Sequence, residues 1–357
     1  MDQFLTWDPK PDRSWMPPFK AIESSVPGIQ VTELLPLCAA QMHRLAVIRS
    51  LAHEEVHEAE ATELMHTGLE PRRRLGAPPL GTILSFELSG KDPRVPGFLT
   101  LDLPPLPEST VFGEDHVPIP LLSVANPVPN LRRSVDAERD RERTALLHEQ
   151  NGEWGGLRPQ GAVRTIEASG RAAERIMNTP FVKAFHVAAE PETLRAEYGP
   201  GFGEKCLLAR RLVEAGCPFV GIGLAGGSPR TGRSAVTDLD RGLGTLVKDL
   251  ATRGILEDVL VVCAAPYGRR PPIEGPSRGA GWSRGFSVVL AGGMIPGGTV
   301  HGDTGRDGVD CRDPVTVGDF LATIYSACGL DWEKDYVSEE RRSLRYVPRG
   351  QPVQDLF

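Results

Sequence analysis

No two cysteines in this 357-residue chain form a CxxC; the six present, Cys38, Cys206, Cys217, Cys263, Cys311 and Cys328, stand singly. That spacing argues against a zinc or disulfide framework. It favours small buried hydrophobes, and Cys263 and Cys328 already lie in apolar runs. No apolar run reaches the roughly 18 residues that a membrane-spanning helix needs. The opening MDQFLTWDPKPDRSW lacks the apolar stretch of a signal peptide, so a cytoplasmic protein is expected as written, and an exported one if the true start lies upstream. A basic excess is also missing. The formal net charge is −7, which gives no reason to expect nucleic acid as a partner. There is no internal repeat and no low-complexity segment.

What is present is the composition of an ordinary globular protein, 40% apolar and 24% charged, long enough to bury a large core. Proline is abundant, at 32 residues. It gathers before Arg132, in 266–276 and near the carboxyl end, which predicts much irregular but ordered loop. Leu80–Leu88 reads as a helix, and 53–67 as a polar helix stopped by Gly68. Leu45–Ile48, Gly97–Leu103, Phe219–Leu224, Val259–Ala264 and Phe286–Ala291 read as strands. Leu207–Val213 and Leu239–Leu250 keep helical spacing between strands. Thr316-Val-Gly-Asp319 resembles a capping box ahead of a third helix. Helices alternating with apolar strands predict βαβ units, an α/β fold and a mainly parallel sheet. A single domain is expected over 1–357, with 1–131 proline-rich, 132–200 a helical insertion, 201–335 the α/β core and 336–357 a tail.

The stretch from Leu256 to Gly302 is where chemistry is expected. Two buried strands there flank a polar loop, Pro266–Arg284, in the way that open α/β sheets present a site. The loop holds Arg269, Arg270, Arg278 and Arg284 against one acid, Glu274, and no His, Cys or Asp. Arg269, Arg278 and Arg284 could bind an anion, but the loop lacks the usual metal ligands. Elsewhere, His53-Glu-Glu-Val-His57 fits H-E-x-x-H, which on a helix would place two imidazoles on one side for zinc. The metzincin continuation is absent; Glu63 or His66 would have to serve as third ligand. The glycine-rich Gly226–Gly232 has neither dinucleotide nor P-loop spacing, and Asp303, Asp307, Asp310 and Asp313 lack EF-hand spacing.

Several ordered segments carry a resemblance. They include TWDPKPD (6–12), FKAIESSVPGIQVTELLP (19–36), LAVIRSLAH (45–53), PGFLTLDLPP (96–105), EKCLLARRLVEAGCPFV (204–220), YGRRPPI (267–273), GWSRGFSVVLAGGMIPGGTVHG (281–302) and DPVTVGDFLATIYSACGLD (313–331). In these the chain resembles the proteins grouped as domain of unknown function 1501, relatives of the alkaline phosphatase and sulfatase superfamily. The resemblance implies an alkaline-phosphatase-like three-layer α/β/α fold, here with the amino-terminal core strand missing. It also implies, for the family, a metal-dependent hydrolase site holding a divalent cation such as zinc, manganese or calcium.

This chain departs from the family pattern at the implied ligands. The Asp and His of the family's Gly-Gly-Trp-Asp-Thr-His are Pro229 and Thr231. The Glu of its Glu-Phe-Gly-Arg is Pro266. The Asp and His of its Arg-Asp-His-Trp are Ala280 and Gly281, and the Asp before the Thr-Trp-Asp-Pro segment is Leu5. His53 and His57 alone match its histidine-bearing loop. The expectation is therefore a degenerate, non-catalytic member without a cofactor, serving a protein partner or a small anion. The alternatives are a phosphate- or sulfate-ester hydrolase with a rearranged site at His53, His57 and Arg269, and, more weakly, a zinc peptidase.

Overall fold

The computed structural model describes residues 6–10, 19–70, 77–90, 95–107, 109–127, 136–154, 179–224, 232–270, 281–337 and 343–357. A hairpin, β1 (Ala21–Glu23) and β2 (Gln30–Thr32), precedes helix α1 (Pro36–Ala40) and the long strand β3 (Leu45–Ala52). Helices α2 (Glu58–Thr67) and α3 (Leu80–Leu88) lead to strands β4 (Phe98–Leu101) and β5 (Ile119–Leu121). Helices α4 (Ala137–Trp154), α5 (Glu192–Tyr198) and α6 (Phe202–Glu214) follow, then strand β6 (Phe219–Ile222), helix α7 (Gly232–Thr252) and strand β7 (Val261–Cys263). A two-residue ribbon, β8 (Gly268–Arg269) with β9 (Gly281–Trp282), precedes β10 (Phe286–Ala291), β11 (Thr299–His301), β12 (Val315–Thr316) and helix α8 (Val317–Ala327). A last hairpin joins β13 (Asp335–Val337) to β14 (Ser343–Arg345).

The main sheet has the order β11-β3-β10-β7, with β12 also paired to β3. A second sheet, β5-β4-β6, is parallel throughout. The main sheet is mixed: β3, β7, β11 and β12 share one direction and β10 is reversed. β11 and β12 run parallel to β3, but β10 is antiparallel to both β3 and β7. The described residues between β7 and β10 form the ribbon and hold no helical crossover of the kind that a parallel neighbour requires.

β3 and β10 are largely apolar and largely buried because both faces are covered. Ala46 and Ile48 of β3, with Val288 and Leu290 of β10, face a core shared with Ile83 of α3 and Phe320, Leu321 and Ile324 of α8. Leu45 and Val47, with Val289 and Ala291, face a second core shared with Cys38 of α1 and Leu239, Leu243 and Val247 of α7. α8 starts with the expected capping box. Thr316 Oγ1 accepts from the Asp319 N–H at 3.1 Å, and Asp319 Oδ2 accepts from the Thr316 N–H at 2.9 Å. Thr316→Ala is expected to cost about 1 kcal/mol of unfolding free energy in urea titration. Gly68 closes α2 in the left-handed conformation, φ 69°, with its N–H on Leu64 O.

The cysteines are free, with Cys38, Cys206 and Cys217 buried. Burial pushes the thiol of Cys217 up to about 12 and that of Cys328 to about 11. Among the described residues no helix is long and apolar enough to cross a membrane.

Candidate functional site

The end of β3 meets the segment between β7 and β10, and His53 is the joint. Its backbone N–H donates to Ser283 O at 2.8 Å. Its ring is held at both nitrogens: Nδ1 lies 3.1 Å from the Glu55 backbone nitrogen, and Nε2 lies 2.7 Å from Pro266 O. A backbone N–H can only donate and a carbonyl can only accept. Nδ1 therefore spends its lone pair on Glu55, and Nε2 carries the proton given to Pro266. The ring also meets Phe286 edge-on, with centroids 5.5 Å apart. Burial lowers its pKa, against the opposing pull of the Pro266 carbonyl and Glu55.

This contact also breaks the anticipated helix over 53–67. His53 follows a strand, its side chain captures the Glu55 N–H, and α2 begins only at Glu58. His57 takes an extended conformation in front of α2, makes no side-chain cap hydrogen bond and is exposed. The H-E-x-x-H segment is thus not a helix turn, and the zinc-peptidase geometry is not formed. Of the suggested third ligands, Glu63 is 9% exposed. His66 Nδ1 is buried without a hydrogen-bond partner among the described residues.

On the facing side, the β8–β9 ribbon pairs Gly268 with Trp282 and Arg269 with Gly281. Gly281 gives room to Tyr267: a Cβ there would lie 3.0 Å from the Tyr267 ring. The Tyr267 hydroxyl hydrogen-bonds the carboxylate of Glu58, and burial together with Glu58 raises its pKa, with Arg269 acting the other way. Arg284 is exposed, and its guanidinium stands over the Trp282 ring, 6.0 Å from the centroid. The structure thus gathers His53, Pro266, Tyr267, Glu58 and Arg269 about one loop. Leu5, Pro229, Thr231, Arg278 and Ala280 lie outside the described residues.

Tyr267 and Glu58 were not anticipated, although each stands beside a residue that was. A second polar cluster also went unread. Asp8, 1% exposed, pairs with Lys10 at 2.9 Å and accepts from Thr304, while Arg49 Nε lies 3.8 Å away and binds Trp7 O. This cluster ties the TWDPK segment to β3 and to the turn after β11.

The residues at the sheet end do not fit a divalent cation. Proline and glycine stand at 266 and 281, the His53 lone pair is engaged, and Arg269 adds positive charge. Among the described residues no group of three His, Cys, Asp or Glu side chains could hold a metal ion. The arrangement suits recognition of a polar or anionic group better than activation of water.

A mixed α/β protein with a loop site at the end of its sheet is the class that these features define. The chain belongs to the family described as Protein of unknown function (DUF1501), whose model matches residues 1–357. A comparison with curated proteins finds no match.

Proposed function

We propose that this chain is a catalytically degenerate member of the alkaline-phosphatase and sulfatase-like superfamily, which keeps the scaffold and acts by binding. The observation that carries the reading is His53. At the position matching the family's histidine-bearing loop, the imidazole serves as a tie between main-chain groups of Glu55 and Pro266. The residue standing where the family has a glutamate contributes only that carbonyl. Arg269 and Arg284 add positive charge at the ribbon, which favours a small anion or an acidic protein segment as its ligand.

Elemental analysis of protein reconstituted with zinc, manganese or calcium tests the reading. Metal well below one equivalent per chain is expected, with no chelator-sensitive turnover of an aryl phosphate or aryl sulfate. About one metal per chain, lost in the His53→Ala/His57→Ala double variant, would overturn it in favour of a rearranged hydrolase.

A further inference from the structure

Away from the His53 site, residues 351–355 fold back on the start of α8 and leave a cleft of about 230 Å³. β11 and β12 both run parallel to β3, but they pair with different stretches of it, Ala46–Ile48 and Leu51–Ala52. His301 at the end of β11 and Pro314 just before β12 line the cleft on this side, with Asp319 of α8 beside them. The opposite wall is held firmly. The Gln351 N–H donates to Asp319 Oδ1 at 2.8 Å, the Val353 N–H donates to Thr323 Oγ1 at 2.9 Å, and Leu356 is fully buried.

The donors of this cleft are spent or missing. Pro314 and Pro352 carry no N–H. The Gln351 and Val353 N–H groups serve the two bonds above, and the Gln354 side-chain amide donates to Pro352 O at 3.3 Å. No lysine or arginine lines the walls. Acceptors remain. Asp355 has a side chain 76% exposed, and its Oδ2 lies 2.9 Å from His301 Nδ1. In the neutral ring the proton therefore sits on Nδ1 and is given to Asp355, which leaves the lone pair on Nε2. Among the described residues that nitrogen has no hydrogen-bond partner.

We propose that this cleft binds a small aliphatic amine in its ammonium form. An acceptor-rich, donor-poor cleft with two carboxylates selects a ligand that brings both N–H donors and positive charge. An ammonium group has three donors and no acceptor. It would donate to Asp355 and to His301 Nε2, while Asp319 adds negative charge and the proline rings face the methylenes. A bare divalent cation is a poorer occupant, because no group of three His, Cys, Asp or Glu side chains among the described residues could hold a metal ion. The inference uses no residue of the His53 site, so it stands or falls apart from the reading of that site.

The test is calorimetric titration of the full chain with putrescine. Saturable one-to-one binding is expected, about tenfold weaker in Asp355→Asn, a change at an exposed side chain that folding should tolerate. The butanediol of the same length, which lacks the charge, should not bind. Asp335→Asn, which removes an exposed carboxylate from β13, should leave the affinity unchanged. In nitrogen NMR spectra of histidine-labelled protein, putrescine should shift the His301 ring resonances, identified as those missing from His301→Gln. No saturable binding would overturn the inference. So would an equal loss in Asp335→Asn, equal binding of the diol, or binding that leaves the His301 resonances in place.

Discussion

Replacing Arg210 with methionine is expected to lower the unfolding free energy by about 3 kcal/mol, read as a shift of the urea midpoint near neutral pH. The guanidinium lies on α6 with its side chain 1% exposed. Nη1 bonds Glu214 Oε2 at 2.6 Å; Nη2 and Nε make ion-pair contacts at 2.9 Å to Glu190 and 3.1 Å to Asp249. Asp249 on α7 also accepts from the Tyr198 hydroxyl of α5 at 3.0 Å. Methionine keeps the apolar stem and removes only the charge, so the loss reports buried carboxylates left without their main partner. Arg211 and Arg253 still reach Glu190, and Arg253 still reaches Asp249. For that reason the lower end of the range for breaking a buried pair is expected. Burial pushes the Glu190 carboxyl up, but the hydrogen bonds and charges of Arg210 and Arg211 outweigh it and hold its pKa below the usual value. A depressed acid stabilises above its unfolded pKa and loses that stability as pH falls through the folded one. In Arg210→Met this contribution should shrink, and the variant's deficit should narrow in acid.

The second large effect is acid destabilisation through His66. Burial alone lowers its pKa from 6.5 to about 4. The folded protein therefore holds a neutral imidazole where the unfolded chain binds a proton. Stability is fully present above pH 6.5 and declines as pH falls toward about 4, where the difference amounts to about 3 kcal/mol. His66→Leu should leave stability near neutrality unchanged or slightly higher, because Nδ1 has no partner to lose among the described residues. It should flatten the decline between about pH 6.5 and 4.5, measured by urea unfolding at several pH values. An unaltered decline in the variant would place the acid sensitivity on other groups.

Features decided by a few neighbouring residues were legible in the sequence. The α3 helix over Leu80–Leu88, the Thr316–Asp319 capping box and the Gly68 stop depend on local spacing and backbone preference. Features decided by tertiary partners were not. The late start of α2 comes from the His53 imidazole taking the Glu55 N–H, and no propensity encodes that choice. The reversal of β10 depends on the path between β7 and β10. The Asp8 cluster joins the Thr6–Lys10 segment to Arg49 and Thr304 across most of the chain. At the sheet end, composition revealed an arginine-rich loop without metal ligands, but not the Tyr267–Glu58 hydrogen bond.

The two bonds of the His53 ring are insensitive to the side chains at their other ends. Both are made to the main chain, to Glu55 N–H and Pro266 O. Every residue type except proline at 55 would offer that N–H, and every residue type at 266 would offer that carbonyl. Pro266→Glu would therefore add a carboxylate without freeing the imidazole. The ring would be released only if the peptide path through residues 53–57 were redrawn.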